Sequence, residues 1–579
     1  MLARKTLWTL ALLALAAAVL VPAAATAGGI QLYAKGVRIC KPPAKLATAH
    51  RATCDAMRRV LVRAGTAGAR PLEHLVGTAA TVGPNGGLTP SDLTSVYGLS
   101  GTGSGQTVAI VDAYNDPNIN ADLQTFDAKY GLAACSVASG CLKVVGQTGG
   151  PALPSNDTTG WSGEESLDVE AVHAVCSACK IVLVEANSPS NANLGTAENA
   201  AANTIHATEI SNSFGEPETG TDASFASAFN HPGIAITASS GDDGYYDYDF
   251  LGANGVIGVP SIPAAYPTVV AVGGTSLFLS QSSTPARSYE TVWNDNGPRA
   301  AYEQALGGPL GASGGGCSTL FAAQGWQAGM SGYANAACGG NRLVADISIV
   351  ADPLTGFDVY DSYTGCNGCT AGWQTIGGTS LAAPLLAAVY ALAGGAHSLP
   401  YPAVELYSHA AGTRYDVTIG GNGFCDGEGA PQCGDHNHAT VNGNDIGVVD
   451  CDYTGAGVLS TGNGACDAAA GFDGATGVGT PKGLTLFAKP SLIVSSLSGP
   501  VTATHGTSGG PWSITATDPA PGGRVTCTWS WGDGTSNSTG CGTPLSHTYA
   551  STGTKTITVT SQDGYGLTCT PKTKKVTVG

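Results

Sequence analysis

Apolar runs alternate with helical patterns through the middle of the 579-residue chain. The unbroken apolar runs lie at 108–111, 181–184, 234–236 and 269–272. Runs of this kind are typical of strands buried on both faces, as in a parallel sheet. The helical patterns lie at 118–130, 164–175, 196–207 and 222–230. This alternation predicts an α/β fold built on a doubly wound, mainly parallel sheet, whose ligands bind beyond the carboxyl ends of the strands.

A serine stands where a glycine-rich turn leads into a further predicted helix. Gly377-Gly378-Thr379-Ser380 precedes the charge-free apolar run 381–392, which predicts a buried helix. Pro384 is compatible with that helix only because it lies near the first turn. The start of a helix offers free N–H groups and a positive dipole end to a developing oxyanion. We interpret Ser380 as a nucleophile; the alternative is a glycine loop capped by a serine.

Two acidic residues share one face of the helix predicted at 164–175. Glu164 and Asp168 are four residues apart, so their carboxyls are neighbours. They either form a favourable acidic first turn or share a proton, in which case burial and repulsion raise one pKa and create a base that works in acid. His173 follows in the same helix, but a lone helical histidine is more often structural.

Two more acids follow predicted strands. Asp112 comes directly after the run 108–111, and Asp242 follows Ser239-Ser240-Gly241 after another strand. The carboxyl ends of parallel strands meet at one edge of a sheet, so the candidate chemistry clusters there.

The composition limits the classes of protein to which this chain can belong. The chain is 43% hydrophobic and 12% charged, contains 83 glycines and carries a net charge of −17. It is long enough for two to four domains and a large core. The negative charge argues against nucleic acid and anionic membrane surfaces as partners. The low number of basic residues suits an acidic medium.

The first residues have the pattern of a secretory signal. Arg4 and Lys5 precede an apolar stretch at 7–21 and a small-residue cleavage site at 25–27. We therefore expect residues 1–27 to be a signal peptide and the protein to be secreted and extracellular, with no stable membrane anchor. Seventeen cysteines fit export, and the odd count leaves at least one unpaired within the molecule. We expect local disulfides rather than zinc or redox sites at Cys135/Cys141, Cys176/Cys179, Cys366/Cys369 and Cys527/Cys541.

The C-terminal part has a different pattern. After Lys489-Pro490, apolar and polar residues alternate from 525 to 531, as in a half-buried strand. Trp-Ser-Trp-Gly-Asp-Gly (529–534) and Ser-His-Thr-Tyr (546–549) resemble a PKD-type immunoglobulin-like sandwich. Such a unit acts as a spacer or binds a polymeric substrate. Trp529 and Trp531 share the face of Cys527, which favours a core position for both.

Seven strings, in order, resemble the sedolisin family, the serine-carboxyl peptidases with a subtilisin-like fold. They cover roughly residues 90–488. The strings are Gly-Glu-Glu-Ser-Leu-Asp-Val-Glu (163–170), Ser-Asn-Ser-Phe-Gly (211–215), Ser-Ser-Gly-Asp-Asp-Gly (239–244), Ala-Val-Gly-Gly-Thr-Ser (271–276), Ser-Gly-Gly-Gly-Cys-Ser (313–318), Ala-Asp-Ile-Ser-Ile-Val-Ala-Asp-Pro (345–353) and Gly-Gly-Thr-Ser-Leu-Ala-Ala-Pro (377–384).

The resemblance implies a role for each candidate residue. Ser380 would be the nucleophile, Glu164 the general base and Asp168 the residue that orients Glu164. Asp242 would donate a proton in the oxyanion hole, which requires a raised pKa and implies a working range of roughly pH 3–5. Asp112 either extends the proton network or is a solvated carboxylate at a strand end. The neighbours Asp243 and Glu165 are the rivals for the roles of Asp242 and Glu164.

The resemblance also implies a calcium site. Tyr415-Asp416-Val417-Thr418 and residues 469–474 look like the two calcium-binding strings of the family. The implied ligands are the side chains of Asp416 and Asp473 and the carbonyls of Val417, Ala469 and Gly471, with Ala469 in place of a usual glycine. In the insertion between the strings we expect Cys425–Cys466 and Cys433–Cys451 pairs. There, Asp435-His436-Asn437-His438 is either a solvated loop or a second metal site.

We therefore predict a secreted serine-type endopeptidase that hydrolyses protein or peptide substrates in acid, as a monomer. The predicted parts are a signal peptide (1–27), a short pro-region or extension (28–88), a peptidase domain (89–489) and a PKD-type sandwich (490–579). The alternatives are a catalytically silent scaffold or adhesin with this fold, and a neutral peptidase with a histidine triad. The family's large folded propeptide has only residues 28–88 as its counterpart, which leaves the route of maturation open.

Overall fold

The architecture was obtained from a computed structural model. It describes residues 33–40, 51–63, 66, 70–71, 83–245, 259–280, 286–295, 311–366, 368–423, 439–441, 444–446 and 464–579. The predicted signal peptide, the Asp435–His438 string and the cysteines Cys425, Cys433 and Cys451, for which we predicted disulfides, lie outside these residues.

The α-helices are α1 (Pro90–Val96), α2 (Ile119–Tyr130), α3 (Trp161–Val175), α4 (Asn191–Ala200), α5 (Gly325–Ala328), α6 (Thr379–Ala393) and α7 (Val404–Ser408). The first strands are β1 (Tyr33–Arg38), β2 (Thr53–Cys54), β3 (Met57–Val62), β4 (Arg70–Pro71), β5 (Thr107–Ala113), β6 (Leu142–Gly146), β7 (Lys180–Ala186), β8 (Glu209–Asn212), β9 (Phe214–Pro217), β10 (Ala235–Ser239), β11 (Asp243–Tyr245) and β12 (Ser261–Ile262). They are followed by β13 (Val270–Leu279), β14 (Arg287–Val292), β15 (Ala312–Ala322), β16 (Asn341–Val344), β17 (Ile347–Val350), β18 (Phe357–Asp361), β19 (Gly372–Gly377), β20 (Arg414–Tyr415), β21 (Ala439–Val441), β22 (Asn444–Ile446) and β23 (Thr480–Pro481). The C-terminal strands are β24 (Ile493–Val494), β25 (Thr502–Ala503), β26 (Ser508–Trp512), β27 (Ala516–Thr517), β28 (Thr526–Ser530), β29 (Ser536–Gly540), β30 (Leu545–Thr548), β31 (Gly553–Gln562) and β32 (Lys572–Val578).

The central sheet confirms the predicted α/β class. Its order is β14-β13-β10-β8-β5-β7-β6, with β17 also paired to β13. All neighbours are parallel except β14, which runs antiparallel to β13. The apolar runs predicted as strands coincide with β5, β7, β10 and β13 to within one residue, and their side chains are buried except for the half-buried Ile234, which precedes β10. This is the expected result for strands covered on both faces.

Two buried helices carry the candidate chemistry. Every residue of α3 is buried, and α6 is buried from Thr379 to Ala391. The two helices pack against each other, and α6 also packs on β8 and β10. Small apolar side chains along α6 permit this close packing, because they fill little space between the helix and its neighbours.

Two of the helical predictions differ from the structure. The segment 222–230 contains only the short 3₁₀ turns Asp222–Ser224 and Ala226–Phe229 instead of a continuous α-helix. The helix predicted at 196–207 begins earlier, at Asn191, and continues into a π-helical turn at Ala201–Ile205. Ser190 sets the earlier start, because its side chain accepts a 3.3 Å hydrogen bond from the backbone of Asn193.

The N-terminal strands pair with strands of the predicted peptidase domain. β3 lies between β1 and β19 in a five-stranded sheet of order β18-β19-β3-β1-β4. β2 pairs with β9 in a separate three-stranded sheet. Residues 33–40 and 51–63 therefore form part of the same packed body as the central sheet, and the domain boundary at 88/89 stays a prediction.

The C-terminal strands enclose a core of their own. Trp512, Trp529, Trp531 and Tyr549 are completely buried in it. Trp529 and Trp531 stack with ring centroids 5.4 Å apart. The alternation read from the sequence therefore placed both tryptophans correctly in the core.

The predicted local disulfides are confirmed. Six described pairs are present: Cys40–Cys54, Cys135–Cys141, Cys176–Cys179, Cys317–Cys338, Cys366–Cys369 and Cys527–Cys541. Cys569 is the free cysteine of the described part of the chain. Within that part, no helix combines the length and apolar character that crossing a membrane requires.

Candidate active site

Ser380 lies in the first turn of α6 and is completely buried. Gly378 precedes the helix with φ of 95°, a conformation that favours glycine. The Ser380 hydroxyl lies 3.2 Å from the main-chain oxygen of Ser213. It also lies close enough to Glu164 to lower the pKa of that carboxyl, whose two oxygens have no hydrogen-bond partner of normal geometry in the described residues. Because a serine hydroxyl has a single proton that rotates, it can point to either acceptor.

Glu164 and Asp168 lie on the face of α3 that meets α6. Burial raises the pKa of Glu164 well above its ordinary value, and the charges of Asp168 and Asp112 add to the rise. Burial and Asp112 likewise raise the pKa of Asp168. The hydrogen bond from Ser213 and the neighbouring Glu164 carboxyl act in the opposite direction and lower the pKa of Asp168. The two carboxyls are therefore adjacent, buried and able to share a proton.

Asp112 lies near the end of β5 and is completely buried. Burial raises its pKa to about 8. Neither carboxyl oxygen has a hydrogen-bond partner in the described part of the chain. These observations argue against the solvated strand-end carboxylate and place Asp112 beside the Glu164–Asp168 pair, whose pKa values it raises.

Asp242 follows β10 and reaches the start of α6. Its Oδ1 accepts hydrogen bonds from the Thr379 backbone N–H at 2.7 Å and from the Thr379 hydroxyl at 2.9 Å. Oδ2 has no such partner in the described residues and lies 2.7 Å from the point that a Cβ on Gly378 would occupy. Burial and the charge of Asp55 raise the pKa of Asp242. The free oxygen is therefore suited to carry a proton beside Ser380.

Glu165 and Asp243, the alternatives to Glu164 and Asp242, make different contacts from these two residues. Oε2 of Glu165 accepts a 2.8 Å hydrogen bond from the backbone of Asp116, and burial, together with the charge of Glu185, raises the pKa of Glu165. Glu165 therefore faces a second group of buried acids. The neighbour of Asp242, Asp243, forms an ion pair with Arg38 instead of contacting Thr379.

His173 lies on α3 but makes structural contacts. Its Nε2 is 2.9 Å from the carbonyl oxygen of Ala133 and 3.1 Å from Oδ1 of Asp127. Its position supports the structural interpretation over a histidine base.

Two residues at the site carried no assigned role in the sequence analysis. Ser213 belongs to the Ser-Asn-Ser-Phe-Gly string, and its hydroxyl donates a 3.0 Å hydrogen bond to Oδ1 of Asp168. Asp55 belongs to the predicted pro-region, and its carbonyl oxygen accepts a 3.0 Å hydrogen bond from the Ser380 backbone N–H. The Ser-Asn-Ser-Phe-Gly string could have identified Ser213 as a site residue. The sequence around Asp55 contains no pattern that indicates a place in the site.

The implied calcium ligands also come together. Both carboxyl oxygens of Asp416 accept from the Gly471 backbone N–H, at 3.2 and 3.0 Å. Asp473 accepts from the backbone of Ala469 at 2.9 Å. Burial of Asp473 and the charge of Asp416 contribute to raising its pKa to about 8. Two carboxylates from separate segments, one of them buried, face the loop at 469–474 and fit a hard divalent cation, because the cation would offset their charge.

Comparisons with known proteins identify relatives of both parts of the chain. Residues 498–578 match the PKD domain family. Kumamolisin from Bacillus sp. (strain MN-32) is 32% identical over 351 residues, which cover 58% of this chain and 57% of the relative. Sedolisin from Pseudomonas sp. (strain 101) is 31% identical over 361 residues, which cover 58% of this chain and 56% of the relative. The chain thus matches somewhat more than half the length of these curated relatives.

A solved structure extends the match. Pseudomonas sedolisin, a serine-carboxyl proteinase complexed with two molecules of pseudo-iodotyrostatin, superposes with a TM-score of 0.51 at 25% identity. The match covers 69% of this chain and 96% of that structure. The chain belongs to the sedolisin/kumamolisin family of serine-carboxyl peptidases and carries a C-terminal PKD domain.

Proposed function

We propose that this protein is a secreted endopeptidase that cleaves protein or peptide substrates at acidic pH through Ser380, Glu164, Asp168 and Asp242. One observation carries the proposal: the Ser380 hydroxyl, Glu164 and Asp168 are neighbours in a completely buried site, close enough to shift the pKa values of the two carboxyls, and both Glu164 oxygens are free of other hydrogen-bond partners among the described residues. This arrangement supplies a nucleophile with an adjacent base and a group that orients the base.

The chemistry follows from the positions of the protons. Glu164 takes the proton of the Ser380 hydroxyl as the oxygen attacks the substrate carbonyl carbon, and later gives a proton to the departing amine. Asp168 shares a proton with Glu164 and holds its orientation, and Asp112 extends the same network. The Ser380 N–H and the protonated Oδ2 of Asp242 stabilise the oxyanion. A second cycle with water hydrolyses the acyl-enzyme.

The acidic range follows from the requirement for a protonated Asp242. A carboxylate cannot donate a hydrogen bond, so donation to the oxyanion is lost as the pH rises through the pKa of this group. Because burial raises that pKa, Asp242 keeps its proton throughout the acidic range.

We further propose that Asp416, Asp473 and the carbonyls of Val417, Ala469 and Gly471 hold Ca²⁺. The ion would supply positive charge that ties the loop at 469–476 to the segment around Asp416. This role is structural.

The test is cleavage of a denatured protein across pH by wild type, Ser380→Ala and Glu164→Gln. We expect activity in acid that falls by about 10³-fold or more in both variants. Glu165→Gln is the matched control, since this neighbouring buried glutamate faces a different cluster, and should retain most activity. Equal cleavage by wild type and Ser380→Ala would exclude the proposal, and no cleavage by any of the proteins would favour a silent scaffold.

A further inference from the structure

Two loops of the C-terminal domain lie against the peptidase domain. The first, residues 518–522, follows β27, and the second, residues 563–567, follows β31. We call them the docking loops. Ala520 is 2% exposed and Leu567 is completely buried. Both side chains belong to the same hydrophobic cluster as Trp326 of the peptidase domain, whereas the core of the sandwich is a separate cluster. The C-terminal domain therefore contributes apolar side chains to two cores.

Glycines on the peptidase side allow the docking loops to approach closely. A Cβ atom on Gly325, at the start of α5, would lie 2.1 Å from the hydroxyl oxygen of Tyr565. A Cβ atom on Gly329 would lie 2.7 Å from the Cβ of Pro521. Both distances are much shorter than the normal separation of non-bonded atoms. A side chain at either glycine would therefore push the loops away.

The docking loops are shaped by their own aspartates. Oδ1 of Asp563 accepts hydrogen bonds from the backbone N–H groups of Tyr565, at 2.9 Å, and Leu567, at 2.7 Å. Oδ1 of Asp518 accepts a 2.9 Å hydrogen bond from the backbone of Ala520. Hydrogen bonds of this kind hold a turn in shape without help from a partner surface. The loops therefore lose little conformational freedom when they pack on the peptidase domain, which lowers the cost of the contact.

The connection between the two domains is short and anchored. The peptidase domain ends with the 3₁₀ turn Thr485–Phe487, and β24 begins at Ile493. Between them, Leu492 is 4% exposed and packs in the same hydrophobic cluster as the docking loops. The Lys489 side chain donates a 3.0 Å hydrogen bond to the carbonyl oxygen of His397. These contacts differ from those of a flexible linker, which is exposed and makes few contacts.

The helix α5 joins the docking loops to the core of the peptidase domain. Trp326, its second residue, is completely buried, and its ring centroid lies 4.5 Å from that of Tyr407. The ring centroid of Tyr407 lies 5.5 Å from that of Phe472. Gln327 donates a 2.8 Å hydrogen bond to the carbonyl oxygen of Leu343. A helix of four residues is not stable by itself, so α5 depends on this core and on the docking loops.

We infer that the C-terminal domain is a structural support of the peptidase domain, and that the docking loops make the two domains unfold as one cooperative unit. Domains within one chain move relative to each other unless their interface is large and hydrophobic. Separation here would expose Leu567 and Ala520 to water and remove part of the packing around α5, and the hydrophobic effect opposes this. Catalysis by Ser380 plays no part in this role, which differs from that of a free spacer.

The test follows the unfolding of the full chain in denaturant by pulsed hydrogen exchange and mass spectrometry, which gives a midpoint for peptides of each domain. Trp531→Ala is the first variant, because Trp531 lies in the separate core of the sandwich. We expect one common midpoint in the wild type, and a midpoint lowered equally for peptides from α6 and β28 in Trp531→Ala. Val501→Ala, at an exposed side chain, is the control and should change neither midpoint. Separate midpoints in the wild type, or an unchanged α6 midpoint in Trp531→Ala, would overturn the inference.

The second variant acts on the interface alone. Gly325→Leu places a side chain where Tyr565 lies, and the other atoms near that Cβ also belong to the docking loops. We expect two separate midpoints, with that of α6 below the wild-type value, while protection in β28 shows that the sandwich is still folded. Gly412→Leu is the matched control, because open space surrounds a Cβ at that position. A Gly325→Leu chain that keeps the single wild-type midpoint would contradict the supporting role.

The thiol of Cys569 gives an independent readout of the interface. Cys569 is the free cysteine of the described part of the chain, is partly buried and packs against the hydrophobic cluster that the domains share. Its alkylation under native conditions, located by peptide mapping, should be several-fold faster in Gly325→Leu than in the wild type or in Gly412→Leu. Equal rates in all three proteins would show that the docking loops are not held against the peptidase domain and would overturn the inference.

Discussion

The hydroxyl of Ser213 donates a 3.0 Å hydrogen bond to Oδ1 of Asp168. The main-chain oxygen of Ser213 also accepts a 3.2 Å hydrogen bond from the Ser380 hydroxyl. One residue thus contacts both the nucleophile and the acid that orients the base. Its hydrogen bond favours the charged form of Asp168 and lowers that pKa against the effect of burial.

Ser213→Ala should therefore move the pH profile. Without the hydrogen bond the pKa of Asp168 rises. The Glu164 and Asp168 carboxyls then both stay protonated to higher pH, and the acid limb of the kcat/KM profile shifts to higher pH. A hydrogen bond to a charged group contributes about 1.5–3 kcal/mol, so activity at the acid end should fall roughly tenfold to a hundredfold. Ser166→Ala on α3 is the control, because that buried hydroxyl has no hydrogen-bond partner in the described structure. An unshifted profile in Ser213→Ala would contradict the positioning role.

Asp242→Asn should change the alkaline side of the profile. The amide of asparagine donates a hydrogen bond at every pH, whereas Asp242 donates only when protonated. We expect lower activity in acid but a smaller loss as the pH rises, and Asp242→Ala should reduce kcat by about 10²–10³-fold throughout. Asp243→Asn is the neighbouring control and should keep the wild-type alkaline limb. If Asp242→Asn had the same alkaline limb as wild type, the proposed role of Asp242 as a donor to the oxyanion would be contradicted.

Calcium should change how stability depends on pH. In the absence of the ion, Asp473 has a pKa of about 8, above its ordinary value, so the folded state holds this proton more tightly than the unfolded state. Its contribution to stability is present below about pH 4 and is lost as the pH rises through about 8. Ca²⁺ binds the ionised carboxylate, so the gain in Tm on adding Ca²⁺ should grow over this range. At one hundred times its Kd, the ion would add about 2.7 kcal/mol.

The measurement is thermal unfolding with Ca²⁺ or with a chelator at several pH values. Asp473→Asn should lose most of the calcium-dependent gain. Asp533→Asn, in the C-terminal unit, should retain it, because Asp533 interacts there with Thr535 and His547. If Asp473→Asn retained the full gain, the proposed ligand set would be wrong.

The tryptophans of the C-terminal domain should act on stability rather than on binding. Trp531 is completely buried, and its Nε1 donates a 2.7 Å hydrogen bond to Asn537. Trp531→Ala should destabilise this domain by about 3–5 kcal/mol in denaturant unfolding. Val501→Ala, at a side chain that is 61% exposed, should change stability by less than about 0.5 kcal/mol. Loss of polymer binding by a Trp531→Ala domain that remains fully stable would contradict the core assignment.

Local patterns in the sequence determined the position of several helices and strands. The charge-free run after Ser380 predicted α6, and the apolar runs at 108–111 and 181–184 predicted β5 and β7, because an element covered on all sides is usually apolar along its whole length. The alternation around Trp529 likewise predicted a half-buried strand. Each of these signals depends only on the periodicity of neighbouring residues.

Tertiary structure decided the rest. Glu164 and Glu165 are adjacent and equally acidic, and only the packing of α3 turns one toward Ser380 and the other toward Asp116. The burial of Asp112 depends on the elements around the end of β5. The contact of Asp55 with Ser380 joins distant parts of the chain, and such contacts depend on strand pairing that no local periodicity encodes.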